Sequence, residues 1–240
     1  MSELLKGSRV RFPESKDASS QPLPSVEASY GTEVVRKSIH FLSLSIPIIY
    51  YFVSKSTALL LLIPVATAFF VIDVARYYHQ PTAAWFYRTF GWLLRPKEQD
   101  STAKRLNGAT YVLLSAALCV FVFPKLLTIT AFTMLIISDS IAALVGRKIG
   151  KRPFFKKTLE GSLGFFVSAV VVVFLTPKAT YGAGEYLIGI VGGAVGAVVE
   201  AISIDIDDNL SIPVAIGFTM WLLYYLMYPS LDLTKLLIPQ

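Results

Sequence analysis

Cysteine is almost missing: Cys119 is the single one among 240 residues, so the chain can form neither an internal disulfide nor a Cys-rich metal site. Charge is scarce as well. Asp, Glu, Lys and Arg together make up 16% against 54% apolar residues, and the mean hydropathy is +0.60. That balance excludes an ordinary soluble enzyme and fits a chain held mostly inside a bilayer. The familiar phosphate loops are missing too. Gly146 and Gly150 are separated by three residues where a P-loop has four, and Arg152 stands where a P-loop places Ser or Thr on its metal. No G-x-G-x-x-G follows a strand. No short charged leader precedes the first apolar run, so no cleavable signal peptide is expected, and no nucleic-acid partner is expected either.

What is present is a series of apolar runs, at 36–53, 57–74, 107–123, 126–145, 159–176, 183–204 and 212–228. Each is near the roughly 20 residues with which a helix crosses a bilayer, and some are flanked by Tyr or Trp, which settle at the interface. The expected fold is all-α: a polytopic integral membrane protein of about seven transmembrane helices. A mobile polar tail is expected over 1–31 and a single transmembrane domain over 32–240. Charge supplies an orientation. With the N-terminus in the cytoplasm, 18 of the 22 Lys and Arg fall inside, leaving Lys55, Lys125, Lys178 and Lys235 outside.

Two further stretches carry a pattern. Between the second and third runs, Trp85, Phe86, Phe90, Trp92 and Leu93 interleave with Arg88 and Arg95, which reads as a helix lying in the cytoplasmic interface. It serves either as an anchor or as the wall of a lateral lipid entrance. Gly189, Gly192, Gly193 and Gly196 repeat small-x-x-x-small spacings that suit close helix packing, either within the chain or in a homodimer through such faces.

The chain is organised around residues 138–164. Asp139 is a carboxylate in an apolar helix, expensive unless paired or metal-bound and therefore a functional candidate. Gly146 lies seven residues on, and Ala142 and Ala143 keep the shared face narrow. Six basic residues follow, from Arg147 through Lys151 to Lys156 and Lys157, and Thr158 is placed to cap the next helix. Lysines beside a helix N-terminus make an anion cradle. Basic residues between two membrane helices also serve as topology signals, and Gly146, Gly150, Gly161 and Gly164 also suit close packing. An intramembrane acid, a narrow face, spaced glycines, paired lysines and Glu160 together exceed what topology requires.

The pattern D-x-x-A-x-x-x-G-R-x-x-G-K followed by K-K-T-x-E-G-x-x-G, some 26 residues here, resembles the cytidine-nucleotide motif of two related groups of membrane enzymes. These are the CTP-dependent lipid kinases (dolichol kinase, phytol kinase and the CTP-dependent diacylglycerol kinase) and the CDP-lipid synthases. The segment Arg36-Lys37-x-x-His40 with Pro47 resembles the opening of the kinase group. Asp73-x-x-Arg76, Arg95-x-x-Glu98 and Asn107-Gly108-Ala109-Thr110 resemble further family positions, and Asp207-Asp208-Asn209-Leu210-x-x-Pro213 resembles its C-terminal motif.

The resemblance implies transfer of the γ-phosphate of CTP to a lipid alcohol (dolichol, phytol, geranylgeraniol or diacylglycerol) with Mg2+ as cofactor. Arg36, Lys37, Gly146, Arg147, Gly150, Lys151, Lys156, Lys157, Thr158 and Gly161 would bind nucleotide or phosphate. Asp139, Asp207 and Asp208 would hold metal. Glu160, Glu200 or His40 would accept the hydroxyl proton, Glu200 sharing a face with Asp207 if the helix continues between them. Arg95, Glu98, Trp85 and Trp92 would shape the lipid entrance. The site would face the cytoplasm, in a prokaryotic-type cell membrane or, in a eukaryote, the endoplasmic reticulum. A CDP-lipid synthase is the nearest alternative, and a transporter or scaffold using the buried acid for ion binding is the other.

Overall fold

The computed structural model describes residues 26–94, 98, 104–202 and 206–236. Nine α-helices are described: α1 Val26–Leu42, α2 Ser45–Phe52, α3 Lys55–Ala75, α4 Gln80–Phe90, α5 Gly108–Val122, α6 Lys125–Ile149, α7 Leu159–Leu175, α8 Ala183–Ile202 and α9 Asp208–Met227. The fold is all-α apart from two-residue strands, β1 Pro153–Phe154 and β2 Lys157–Thr158, between α6 and α7. Among the described residues, α3, α6, α8 and α9 are long and apolar enough to cross a membrane. Helices α5 and α7 are apolar but shorter, at 15 and 17 residues.

Three element boundaries differ from expectation. The first helix begins at Val26, inside the stretch expected to be tail; residues 1–25 lie outside the described part. The first apolar run is two helices, not one. Pro47 has no N–H and its ring crowds the carbonyl four residues back, so the chain tightens before it: Ser43 N donates to His40 O, Leu44 N to Phe41 O and Ile46 N to Ser43 O, at 2.9 to 3.0 Å. The stretch from Asp205 to Pro213, whose Asp, Asn, Ser and Pro suit a loop, is described from Ile206, and its part from Asp208 to Pro213 is the first turn and a half of α9, with Asp207 as N-cap.

Helix α6 is the axis of the molecule. It is buried almost continuously from Lys125 to Ala142 and packs on α7, α9, α1 and α2. Lipid tails are as apolar as leucine, so helix association here rests on shape and hydrogen bonds. Small residues set the close approaches: a Cβ on Gly161 would lie 3.0 Å from Ala142 O, and one on Gly193 would lie 2.9 Å from the Ala169 side chain. Gly189 faces Val173 of α7, while Gly192 and Gly196 face Ile216 of α9. The glycine faces considered for a second copy are thus filled from within the chain. Polar links add to the fit, as where Thr128 donates its hydroxyl to Cys119 O of α5 at 2.9 Å.

Candidate functional site

Charged side chains from α1, α6, the β hairpin, α8 and α9 meet at one end of the bundle. Lys37 and His40 stand one turn apart on α1, so both can address a single residue of α6. That residue is Asp139, 5% exposed. Lys37 Nζ donates to its Oδ2, and His40 Nε2 lies 3.9 Å from the same oxygen. One turn earlier on α1, the buried Glu33 carboxylate takes Arg36 on one oxygen and Arg147 of α6 on the other, the latter at 2.9 Å. Two ion pairs therefore hold α1 against α6.

Beyond α6 the chain makes a tight antiparallel hairpin, with Pro153 opposite Thr158 and Phe154 opposite Lys157. Its two-residue turn puts Phe155 at φ 51°, the left-handed region that hairpin turns require. Lys156 N donates to Ala201 O at 3.1 Å, fastening the turn to the end of α8. This aims Lys157 inward, where its Nζ donates to Glu200 Oε1 at 2.8 Å and Asp208 Oδ2 at 3.0 Å. Burial alone would lower the Lys157 pKa, but Asp208, Glu200 and Asp139 outweigh it and hold the ammonium above its ordinary value. Thr158 caps α7, its Oγ1 accepting from Gly161 N at 3.2 Å.

Magnesium keeps several waters and takes one or two carboxylates alongside substrate phosphates. Glu200 and Asp208 each give one oxygen to Lys157, and their other oxygens, Glu200 Oε2 and Asp208 Oδ1, are buried without a hydrogen-bond partner. A buried oxygen in that condition is costly, and a small hard cation is a suitable partner for it, so this pair fits Mg2+. Among the described residues no group of three or more His, Cys, Asp or Glu forms a ready cage. The expected trio does not assemble: Asp139 is taken by Lys37, and Asp207 accepts from Asn209 N at 3.0 Å and Asn209 Nδ2 at 2.7 Å as a helix cap.

A cavity of about 430 Å3 opens beside Lys37 and His40. Its apolar wall comes from Phe69 and Ile72 of α3 and Trp85, Phe86 and Phe90 of α4, and its polar end from Arg36, Lys37, His40, Glu98, Asn107 and Asn209. Of the lining residues, Trp85, Phe69, Ile72 and Ile39 are exposed. A size between 300 and 1,000 Å3 with few polar groups is usual for small-molecule sites.

Several expected site residues take other places. Glu160, a candidate proton acceptor, accepts from the amides of Lys151 and Arg152 at 3.1 and 3.2 Å and closes the turn after α6. Gly146, Gly150 and Gly161 face Thr158 and one another, making room for the α6–α7 crossing. Helix α8 ends at Ile202 before α9 begins, so Glu200 and Asp208 meet across two helices. Trp92 donates its indole N–H to Thr89 O at 3.2 Å, whereas Trp85 and Glu98 do line the cavity. Arg95 lies outside the described residues. Asp73 and Arg76 pair at 2.7 Å, fully buried, and Asp73 Oδ2 accepts from Asn107 N at 2.7 Å, which ties α3 to the start of α5. Glu33 was not singled out from the sequence. Its spacing of three and four residues from Arg36 and Lys37 is the signal that could have drawn attention to it.

No family model and no solved structure matches the chain. It is 28% identical over 168 residues to the CTP-dependent diacylglycerol kinase 1 of Saccharomyces cerevisiae, covering 60% of this chain and 57% of that enzyme. This is a partial likeness, over little more than half the length of that relative. It is also 36% identical over 85 residues to an uncharacterized protein of Methanocaldococcus jannaschii, covering 34% of this chain and 40% of that one. An uncharacterized protein of Rickettsia prowazekii is 33% identical over 198 residues, which span 81% of this chain and 96% of the relative. With nearly the whole of that protein matched by this membrane chain, the two belong to one family.

Proposed function

We propose that the protein is a CTP-dependent lipid-alcohol kinase, moving the γ-phosphate of CTP to the hydroxyl of a polyprenol-type alcohol or of diacylglycerol. The observation that carries this reading is the charge balance of the cavity. Arg36 and Lys37 line it, yet each already meets a carboxylate, Glu33 or Asp139, and Glu98 adds a negative charge. A charge-compensated polar end suits a neutral hydroxyl better than the dianionic phosphate of a phospholipid acid, which favours kinase over CDP-lipid synthase. The partial likeness to a CTP-dependent diacylglycerol kinase supports the same class.

In this reading the chain crosses the membrane seven times, α1 with α2 counting as one broken crossing, and its site faces the cytoplasm of an integral membrane protein. Phosphoryl transfer needs alignment and charge neutralisation more than covalent help. Bound Mg2+ would neutralise the phosphates, held by Glu200 and Asp208. Lys157, with Lys156, Arg147 and Lys151 around it, would grip the nucleotide. The lipid tail would enter past Trp85, bringing its hydroxyl to His40, which lies 3.9 Å from the Asp139 carboxylate and would accept the proton.

Incubation of the purified protein with CTP labelled at the γ position, Mg2+ and a panel of lipid alcohols tests the reading. Label in the lipid is the expected result. Label only in pyrophosphate, with a phospholipid acid as acceptor, would assign the synthase reaction instead. No product from any lipid would leave the buried acid to ion binding in a transporter or scaffold.

A further inference from the structure

Resting on the proposed reaction, we infer that the Lys157 ammonium and a divalent cation compete for one seat, the carboxylate pair Glu200 and Asp208. Three observations meet there. Lys157 Nζ is held by one oxygen of each carboxylate, at 2.8 and 3.0 Å. The second oxygens, Glu200 Oε2 and Asp208 Oδ1, are buried and without a donor, and Glu200 is only 3% exposed. The lysine side chain itself retains 31% exposure, so it can leave the seat without unfolding its surroundings.

A lone lysine cannot satisfy this arrangement. Two carboxylates carry two negative charges against one ammonium, and an ammonium between two carboxylates cannot reach all four of their oxygens with good geometry. A divalent cation balances the charge of the pair and takes oxygen ligands at about 2.0 to 2.1 Å. The lysine therefore keeps the two acids tolerable while the seat holds no metal. Displaced, it swings on its flexible stem toward the open side of the hairpin, where a nucleotide's phosphates would accept it. The hairpin limits that swing, because Lys156 N remains bonded to Ala201 O. One residue thus serves as counter-ion in the resting protein and as phosphate ligand in the loaded one. Metal and nucleotide consequently favour each other's binding, since each removes what opposes the other.

The test titrates Mn2+ into the purified, nucleotide-free full chain in lipid nanodiscs, with free Mn2+ read by electron paramagnetic resonance and Mg2+ as competitor. Lys157→Met is expected to bind Mn2+ roughly ten-fold tighter than the wild type, as befits removal of a partly exposed competing charge. Lys157→Arg, which keeps the positive charge and offers a fork for two carboxylates, is expected to bind it more weakly. Glu200→Gln in the Lys157→Met background should abolish the gain. Equal or weaker Mn2+ binding by Lys157→Met, or unchanged binding by Lys157→Arg should the Met variant fail to fold, overturns the competition. The outcome is separable from the proposed reaction: tighter binding with no lipid product from the wild type sinks the kinase reading alone, and lipid product with unmoved Mn2+ affinities sinks the competition alone.

Discussion

The two ends of the bundle treat charge differently. At the end opposite the site, lysines finish helices. Lys55 donates to Phe121 O, Lys125 to Val53 O, and Lys178 to Thr176 O at 2.7 Å; burial lowers the Lys178 pKa, with Glu185 partly opposing. Glu185 spends both oxygens on Ala179 N, Thr180 N and the Tyr224 hydroxyl. Most of these bonds go to backbone, and every oxygen of that acid is used. At the site end some acids also accept from backbone, but Asp139, Glu200 and Asp208 bond to lysine side chains distant in sequence, and oxygens of Glu200 and Asp208 are left over. Satisfied charges close a structure; charges with spare capacity can receive a ligand.

This contrast can be broken by substitution. Asp139→Asn would leave Lys37 as an uncompensated buried charge at a cost of about 3–5 kcal/mol, and would abolish lipid phosphorylation; unfolding in micelles and the labelled-CTP assay read the two effects. Glu185→Gln would strip acceptors from buried donors and cost about 1–3 kcal/mol, while leaving phosphorylation unchanged once the protein is folded. A parallel loss of activity would erase the distinction between the ends. Glu33→Gln should cost about 1 kcal/mol or less, because Arg147 is half-exposed and its pair is screened. It should still slow transfer about ten- to a hundred-fold by misplacing Arg36 and Arg147. Wild-type turnover in that variant would show the Glu33 bridge to be mere bracing.

The apolar helices were legible because a long apolar run in lipid leaves the chain few other ways to satisfy its backbone: six of the seven apolar runs coincide with single helices, and among the described residues four of these are long and apolar enough to cross a membrane. The buried Asp139 was legible for a similar reason, as a lone acid in apolar surroundings, and Thr158 as a cap because its hydroxyl needs only local geometry. The partnerships were not. Lys37 and Asp139 are separated by 102 positions, and no local spacing encodes such a pair. The local bonds of Asp207 and Glu160 were equally hidden, since the backbone amides they accept from become available only once the turns have formed.

The break before Pro47 has a consequence for the volume beside it. Ile39, His40 and Ser43 border the cavity and sit at or just before the bend, so the bend sets how the chain leaves that wall. The imino ring, several residues away from any charged group of the site, therefore regulates how much space stands next to His40. Relocating that ring along the segment is a route by which relatives could accept bulkier or slimmer guests while keeping every ionic contact intact.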